Sequence, residues 1–350
     1  MFAADSKVVS APISEPLKSE QAFSWKQIID PVEPFLEAVV HRLAKEVDAF
    51  DPSIAPYADY ALNGQGKHLR PVLVALTANA LGKVNEAHAT VAVIIEMVHL
   101  ATLVHDDVMD EGEIRRGRLT LAANWGNEIA VLFGDCLFAQ ALKLAASFPT
   151  PEICRAVAMA TNTVCSGEIL QTQHRRDFQF TREKYFRVLE MKTAELFALS
   201  CELSAYLSGA SADTRHALRQ FGLAFGTAYQ VYDDCVDLFG SETAAGKSLG
   251  TDLAKGKLTL PVLVAWERAD SAERARLREM VQAWEAASLK ELGELLAKYD
   301  TLNASLEIIH QYLERARQIL RVLPASHGRS GLLGCTEYLA RQTDALGVCA

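Results

Sequence analysis

No two cysteines in the chain have CxxC spacing. The seven, Cys136, Cys154, Cys165, Cys201, Cys235, Cys335 and Cys349, are odd in number and scattered. Neither a zinc site nor a disulfide framework is indicated, and a reducing cytoplasm is the expected compartment. Basic residues are not in excess either: 35 Lys and Arg stand against 44 Asp and Glu, a formal net charge of −9. That excludes the broad cationic face nucleic acid requires, but not an anionic ligand held by a local cluster of cations. The stretch from Met1 to Lys18 lacks a basic start followed by an apolar run, so no signal peptide is expected. Apolar runs such as Ala89 to Val104 are broken by Glu96 and His99, and none is expected to reach the roughly 20 residues of a membrane span. Strand-like alternation between hairpin turns is missing, as are fixed-period repeats and low-complexity tracts.

What is present is helical patterning. Half of the 350 residues are hydrophobic and 23% are charged, the balance of a globular protein long enough to form its own core. Residues 1–25 read as a flexible arm and 26–350 as one large all-α domain. Val32, Phe35, Leu36, Val39, Val40, Leu43, Ala44 and Val47 form one stripe at helical spacing. Helices are predicted near 29–48, 70–81, 87–111, 128–146, 152–175, 181–207, 212–239, 257–268, 271–283, 289–297, 302–322 and 329–346. Those at 87–111, 128–146 and 212–239 are apolar nearly all round, which implies that other helices surround them.

Two acidic clusters carry the most information. Asp106, Asp107 and Asp110 end one long apolar helix just before Gly112; Asp233, Asp234 and Asp237 end another just before Gly240. The i, i+4 spacing of Asp106 with Asp110, and of Asp233 with Asp237, puts each pair on one helix face. A helix C-terminus already carries partial negative charge, so each carboxylate there costs about 0.3–1 kcal/mol. Something cationic must offset them. Oxygen donors without His or Cys suit a hard ion, magnesium above all, which takes one or two carboxylates and completes its shell with waters and phosphate oxygens.

Phosphate then needs cations, and the chain offers several groups. Lys67 and Arg70 lie in Gly66–Pro71 at a helix start, where free N–H groups favour anions. Arg115 and Arg116 follow the first acidic cluster, and Lys192-Thr193 lies inside the helix beginning near Thr181. The glycine- and lysine-rich segment 246–257, with Lys247 and Lys257, reads as a lid that adds cations to a bound diphosphate. Nothing resembles a nucleophile–base pair, and His105 is expected to orient the neighbouring aspartates.

In this order the segments GKxxRP (Gly66–Pro71), DDxxD (Asp106–Asp110), RRG (Arg115–Gly117), Lys192-Thr193, Gln230–Asp237 and GKxxGxDxxxGKxT (Gly246–Thr259) resemble the trans-isoprenyl diphosphate synthases, the polyprenyl synthetase family. The likeness runs from about Val32 to the C-terminus. It implies a helical isoprenoid synthase bundle with a central cavity, joining an allylic diphosphate head-to-tail to isopentenyl diphosphate. It also implies about three magnesium ions, held by Asp106, Asp110, Asp233, Asp234 and Asp237 with Asp107 close by. Arg115, Lys192, Lys247 and Lys257 would contact the allylic diphosphate, Thr193 and Gln230 would line its site, and Lys67, Arg70, His99 and Arg116 would take isopentenyl diphosphate. A homodimer, and transient membrane contact for product release, follow from the same resemblance. A terpene cyclase is disfavoured by the fully acidic second cluster and by Lys67, Arg70 and Arg116. An inactive regulatory subunit is disfavoured by the retention of all six aspartates. Small residues before the first cluster, Ala101 and Thr102, with Val98 one turn back, predict a deep tunnel and a long product of the octaprenyl or solanesyl kind, the alternative being a farnesyl- or geranylgeranyl-length chain.

Overall fold

Helix α1 (Trp25–Ile29) opens on a reciprocal cap, Gln27 N–H donating to Ser24 Oγ at 3.3 Å and Ser24 N–H to Gln27 Oε1 at 2.7 Å. The computed structural model describes residues 24–47, 49–62, 66–115, 117–241 and 249–349. The expected arm as far as Phe23, together with Arg116 and Lys247, lies outside them. Pro31 and Pro34 divide the predicted 29–48 helix: a 3₁₀ turn over Asp30–Val32 precedes α2 (Glu33–Val47), because proline cannot donate to the turn before it.

The chain continues through α3 (Ala55–Leu62), α4 (Leu69–Leu81) and α5 (Glu86–Met109). A two-stranded antiparallel hairpin follows, β1 (Ile114–Arg115) with β2 (Arg118–Leu119), Arg115 opposite Arg118. Next come α6 (Leu121–Trp125), α7 (Asn127–Ala146), α8 (Glu152–Gln173) and α9 (Arg182–Leu189). A π-helical turn over Glu190–Ala194 leads into α10 (Glu195–Leu207), followed by α11 (Ala212–Phe239). The remainder is α12 (Thr251–Ala254), α13 (Leu260–Arg268), α14 (Ser271–Gln282), α15 (Leu289–Lys298), α16 (Thr301–Ile319) and α17 (His327–Cys349).

Features not expected include α3, the hairpin, α6, the π turn and α12. Helix α3 is short and is held by tertiary contact, Tyr57 and Tyr60 meeting Trp125 edge-on at 5.4 and 4.9 Å between ring centroids. The expectation about apolar runs also fails. Helices α5 and α7 are long and apolar enough to cross a membrane by length and composition, because Glu96 and His99 barely dilute α5. About two-thirds of α5's most apolar window is buried inside the protein, against 39% for α7.

Helix α10 lies at the centre, packed against α4, α5, α8 and α11. Its contact with α11 runs along glycines: a Cβ on Gly222 would come within 2.5 Å of Ala198 Cα, and one on Gly226 within 2.7 Å of Ala194 Cα. This seam lets α11 approach the π turn closely enough for short side chains to meet. The chain ends are joined too, with Trp25 of α1 against Tyr338 of α17 at 5.3 Å.

Candidate active site

Asp234 of the second acidic cluster lines a cavity, and Asp106 and Asp110 of the first are joined to it through the lining residues Lys192 and Lys257. Its wall includes Gln171 from α8, Tyr185 from α9, Lys192 and Thr193 from the π turn, and Gln230 and Asp234 from α11. Asp252 and Lys257, from the segment after α11, complete it. Consecutive residues of the π turn serve different walls. Lys192 turns to α8 and α5, ion-paired with Glu168, donating to Gln171 Oε1 at 3.1 Å and lying 3.6 Å from Asp106. Thr193 turns to α11, its hydroxyl donating to Gln230 Oε1 at 3.0 Å. Helix α8 can come this close because residue 167 is glycine, where a Cβ would sit 2.8 Å from the Lys192 nitrogen.

Each aspartate of the first cluster has its own cations. Asp107 accepts from Arg115 at 2.8 Å across the hairpin. Asp110 accepts from Arg175 on one oxygen and from Lys257 on the other, with Lys255 at 3.3 Å. Burial raises Asp106 and Asp107 above the usual carboxylate range, against the pull of Lys192 and of Arg115 respectively. At Asp110 burial pushes the same way but is outweighed by Lys257 and Lys255, so its pKa falls.

The second cluster divides. Asp233 is half-buried at the end of α11. Asp234 is buried and accepts from Tyr185 Oη at 2.6 Å and Gln230 Nε2 at 2.8 Å; desolvation and Asp252 drive its pKa well up. Asp237 is fully buried. Its Oδ1 accepts from Thr251 Oγ1 at 2.6 Å and Thr251 N–H at 3.3 Å, its Oδ2 from Asp252 N–H at 3.1 Å, and its carbonyl from Gly250 N–H at 2.7 Å. Asp237, expected as a metal ligand beside Asp233, here has its carboxylate engaged at the start of α12.

Of the residues expected to bind isopentenyl diphosphate, Lys67, Arg70 and His99 are described. Arg70 lies over the Phe197 ring at 4.7 Å, near Tyr229, and burial lowers its pKa against the pull of Glu96. Lys67 lies over Tyr338 at 5.7 Å. His99 follows Glu96 by three residues on α5, one helical face, while Glu96 itself pairs with His68 at 3.1 Å. His105 does not orient the aspartates: its Nε2 meets the Val131 carbonyl at 3.0 Å and lies 3.7 Å from Asp135, both on α7. Ala101 and Val98 are fully buried; Thr102 is half-buried, its hydroxyl donating to the His99 carbonyl at 2.7 Å.

Sequence reasoning missed Glu168, Gln171, Arg175 and Tyr185, and gave Asp252 and Lys255 no individual role. A signal existed for the first two, polar residues at i, i+3 near the end of an otherwise partly buried helix. Oxygen donors alone, flanked by cations suited to phosphate, fit magnesium with diphosphate. Among the described residues no three acidic, His or Cys side chains already converge as a cation cage. The ion's remaining ligands would therefore come from substrate and water.

A family model described as Polyprenyl synthetase matches residues 51–299. An octaprenyl diphosphate synthase of Haemophilus influenzae is 31% identical over 318 residues, 91% of this chain and 97% of its own length. A decaprenyl diphosphate synthase from Rhodobacter capsulatus superposes with a TM-score of 0.86 at 31% identity, covering 91% of this chain and 99% of that one. A polyprenyl synthase from Caulobacter crescentus, solved with calcium and isoprenyl diphosphate, gives 0.86 at 30% identity, covering 92% and 99%. The chain belongs to the polyprenyl synthetase family and is a prenyltransferase.

Proposed function

We propose that the cavity joins an allylic diphosphate to isopentenyl diphosphate and repeats the step to a long trans-polyprenyl diphosphate. The observation that carries this is that Lys192 and Lys257, which line one cavity with Asp234 of α11, also pair with Asp106 and Asp110 at the end of α5. Asp106, Asp110 and Asp233 would hold magnesium, with Asp234 supporting from the cavity wall. Bound magnesium supplies charge neutralisation for diphosphate as a leaving group. Arg115, Lys192 and Lys257 orient the allylic diphosphate, and Lys247, outside the described residues, is assigned there by motif. Thr193 and Gln230 hold an oxygen-lined edge towards the carbon that becomes cationic; Tyr185, donating to Asp234, fixes the Gln230 amide. Lys67, Arg70, His99 and, by motif, Arg116 seat isopentenyl diphosphate. Its double bond attacks the allylic carbon, and the proton lost passes to the released diphosphate.

A homodimer is favoured by the apolar side chains exposed on α7 and α8, Leu132 at 61%, Met159 at 64% and Ile169 at 59%. A reducing, cytoplasmic location suits the unpaired Cys136, Cys154 and Cys165, and a long apolar product implies transient contact with a membrane at release.

The experiment is a condensation assay with labelled isopentenyl diphosphate, an allylic primer and magnesium. Lys67→Ala and Arg70→Ala should raise KM for isopentenyl diphosphate at least about tenfold with little change for the primer, and Arg115→Ala should do the reverse. Equal effects on both substrates would show the two sites wrongly divided; no labelled product at all would end the reading.

A further inference from the structure

Asp110 caps α5, and three cations converge on its carboxylate. Arg175 Nη2 donates to Oδ1 at 2.8 Å; Lys257 Nζ donates to Oδ2 at 2.7 Å, and Lys255 Nζ lies 3.3 Å from that same oxygen. The side chains of Arg175, Lys255 and Lys257 are only 26%, 31% and 10% exposed. One carboxylate therefore contacts three positive charges, two of which also act on Asp106 or Asp107, in a place where water screens them poorly.

Backbone geometry fixes this grouping. Helix α8 ends at Gln173, and Arg176 takes a left-handed conformation at φ +59°. Its N–H then donates to the Gly256 carbonyl at 2.7 Å. Glycine is required opposite: a Cβ at 256 would meet Arg176 Cγ at 2.7 Å. The corner after α8 is thus locked to the strip that carries Lys255 and Lys257, which sets the Arg175 guanidinium beside their ammonium groups. Its buried Nε has no hydrogen-bond partner among the described residues, so donor capacity is left over.

A carboxylate cannot serve magnesium and three cations at once. When Asp110 turns to a metal ion, the cations around it need another anion, and a diphosphate supplies both charge and forked acceptor geometry. We propose that Arg175 is a further diphosphate-binding residue: it rests on Asp110 in the metal-free site and passes to diphosphate oxygens when magnesium takes the aspartate. The assignment rests on the prenyltransferase reading above, and adds a cation that none of the six sequence motifs contains.

The test compares wild type, Arg175→Gln and Arg175→Lys by calorimetric titration with magnesium alone and with magnesium plus inorganic diphosphate. Arg175→Gln removes a competitor for Asp110, so magnesium alone should bind about threefold tighter or more. Magnesium diphosphate should bind about tenfold more weakly, for the loss of a charge-assisted hydrogen bond. KM for the allylic primer should rise while that for isopentenyl diphosphate holds, and Arg175→Lys should fall between. Opposite movements of the two affinities are what a merely structural ion pair would not produce. Unchanged titrations in Arg175→Gln, or both affinities weakening together with a lowered melting temperature, would overturn the assignment alone. Wild-type protein that binds no magnesium diphosphate would overturn the functional reading along with it.

Discussion

His88 is a buried base with every ring nitrogen engaged, Nδ1 with Asn85 Oδ1 at 2.7 Å and Nε2 with the Ser204 carbonyl and Ser208 Oγ, each at 3.2 Å. It ties the start of α5 to the end of α10. Desolvation lowers its pKa below the ordinary 6.5. In acid the unfolded chain therefore takes up the proton first. The stability this residue contributes is complete above the unfolded value and declines as pH falls below it, by up to about 1.4 kcal/mol per unit of lowering. Melting temperature should drop from pH 7.5 to 5.5, and His88→Gln should flatten that slope while starting from a lower value; an unchanged slope would show that other groups set it. At this scale the sequence was most legible where a residue's type announces its chemistry. Asp106, Asp110, Lys192, Thr193, Gln230 and Lys257 were all read from motifs and do meet. Arg175 and Tyr185 were not legible, because a lone arginine after a helix, or a tyrosine inside one, looks like ordinary surface or core until its distant partner is placed.

Helices α5 and α11 were predicted within a few residues because their apolar patterning is long and their glycine ends sharp. The elements missed are those whose cause is tertiary. The π turn over Glu190–Ala194 sits inside a run that reads as uninterrupted helix. Helix α12 has only four residues, too few for any periodicity, and depends on Asp237 for its cap. Thr251→Val should therefore weaken the hold on the Thr251–Lys257 strip without touching a metal ligand. KM for the allylic primer should rise about threefold or more, as expected for losing one buried hydrogen bond, while the magnesium concentration for half-maximal rate stays as in wild type. Asp237→Asn should behave in the same way. A large shift in magnesium requirement for Asp237→Asn would place it among the metal ligands instead.

Across the whole molecule, product length depends on what lies behind Asp106. Ala101 is fully buried among Phe133, Leu137 and Ala130, and Val98 is buried one turn back. The segment from Ala101 to Ile94 spans roughly 10 Å of helix, space for about two isoprene units if α5 and α7 part along it. Ala101→Phe should shift products to shorter chains on chromatography, at an overpacking cost of about 1–3 kcal/mol. Unchanged product from a folded, active variant would place the floor elsewhere. All of this rests on the two acidic clusters acting as one metal-dependent site, and pre-steady-state release of diphosphate from the allylic substrate measures that most directly. With magnesium, the wild type should release it in a burst that a chelator abolishes and added magnesium restores. Asp106→Ala and Asp233→Ala should each lower that rate by about three powers of ten or more while remaining folded. Near-normal release in either variant would contradict the account.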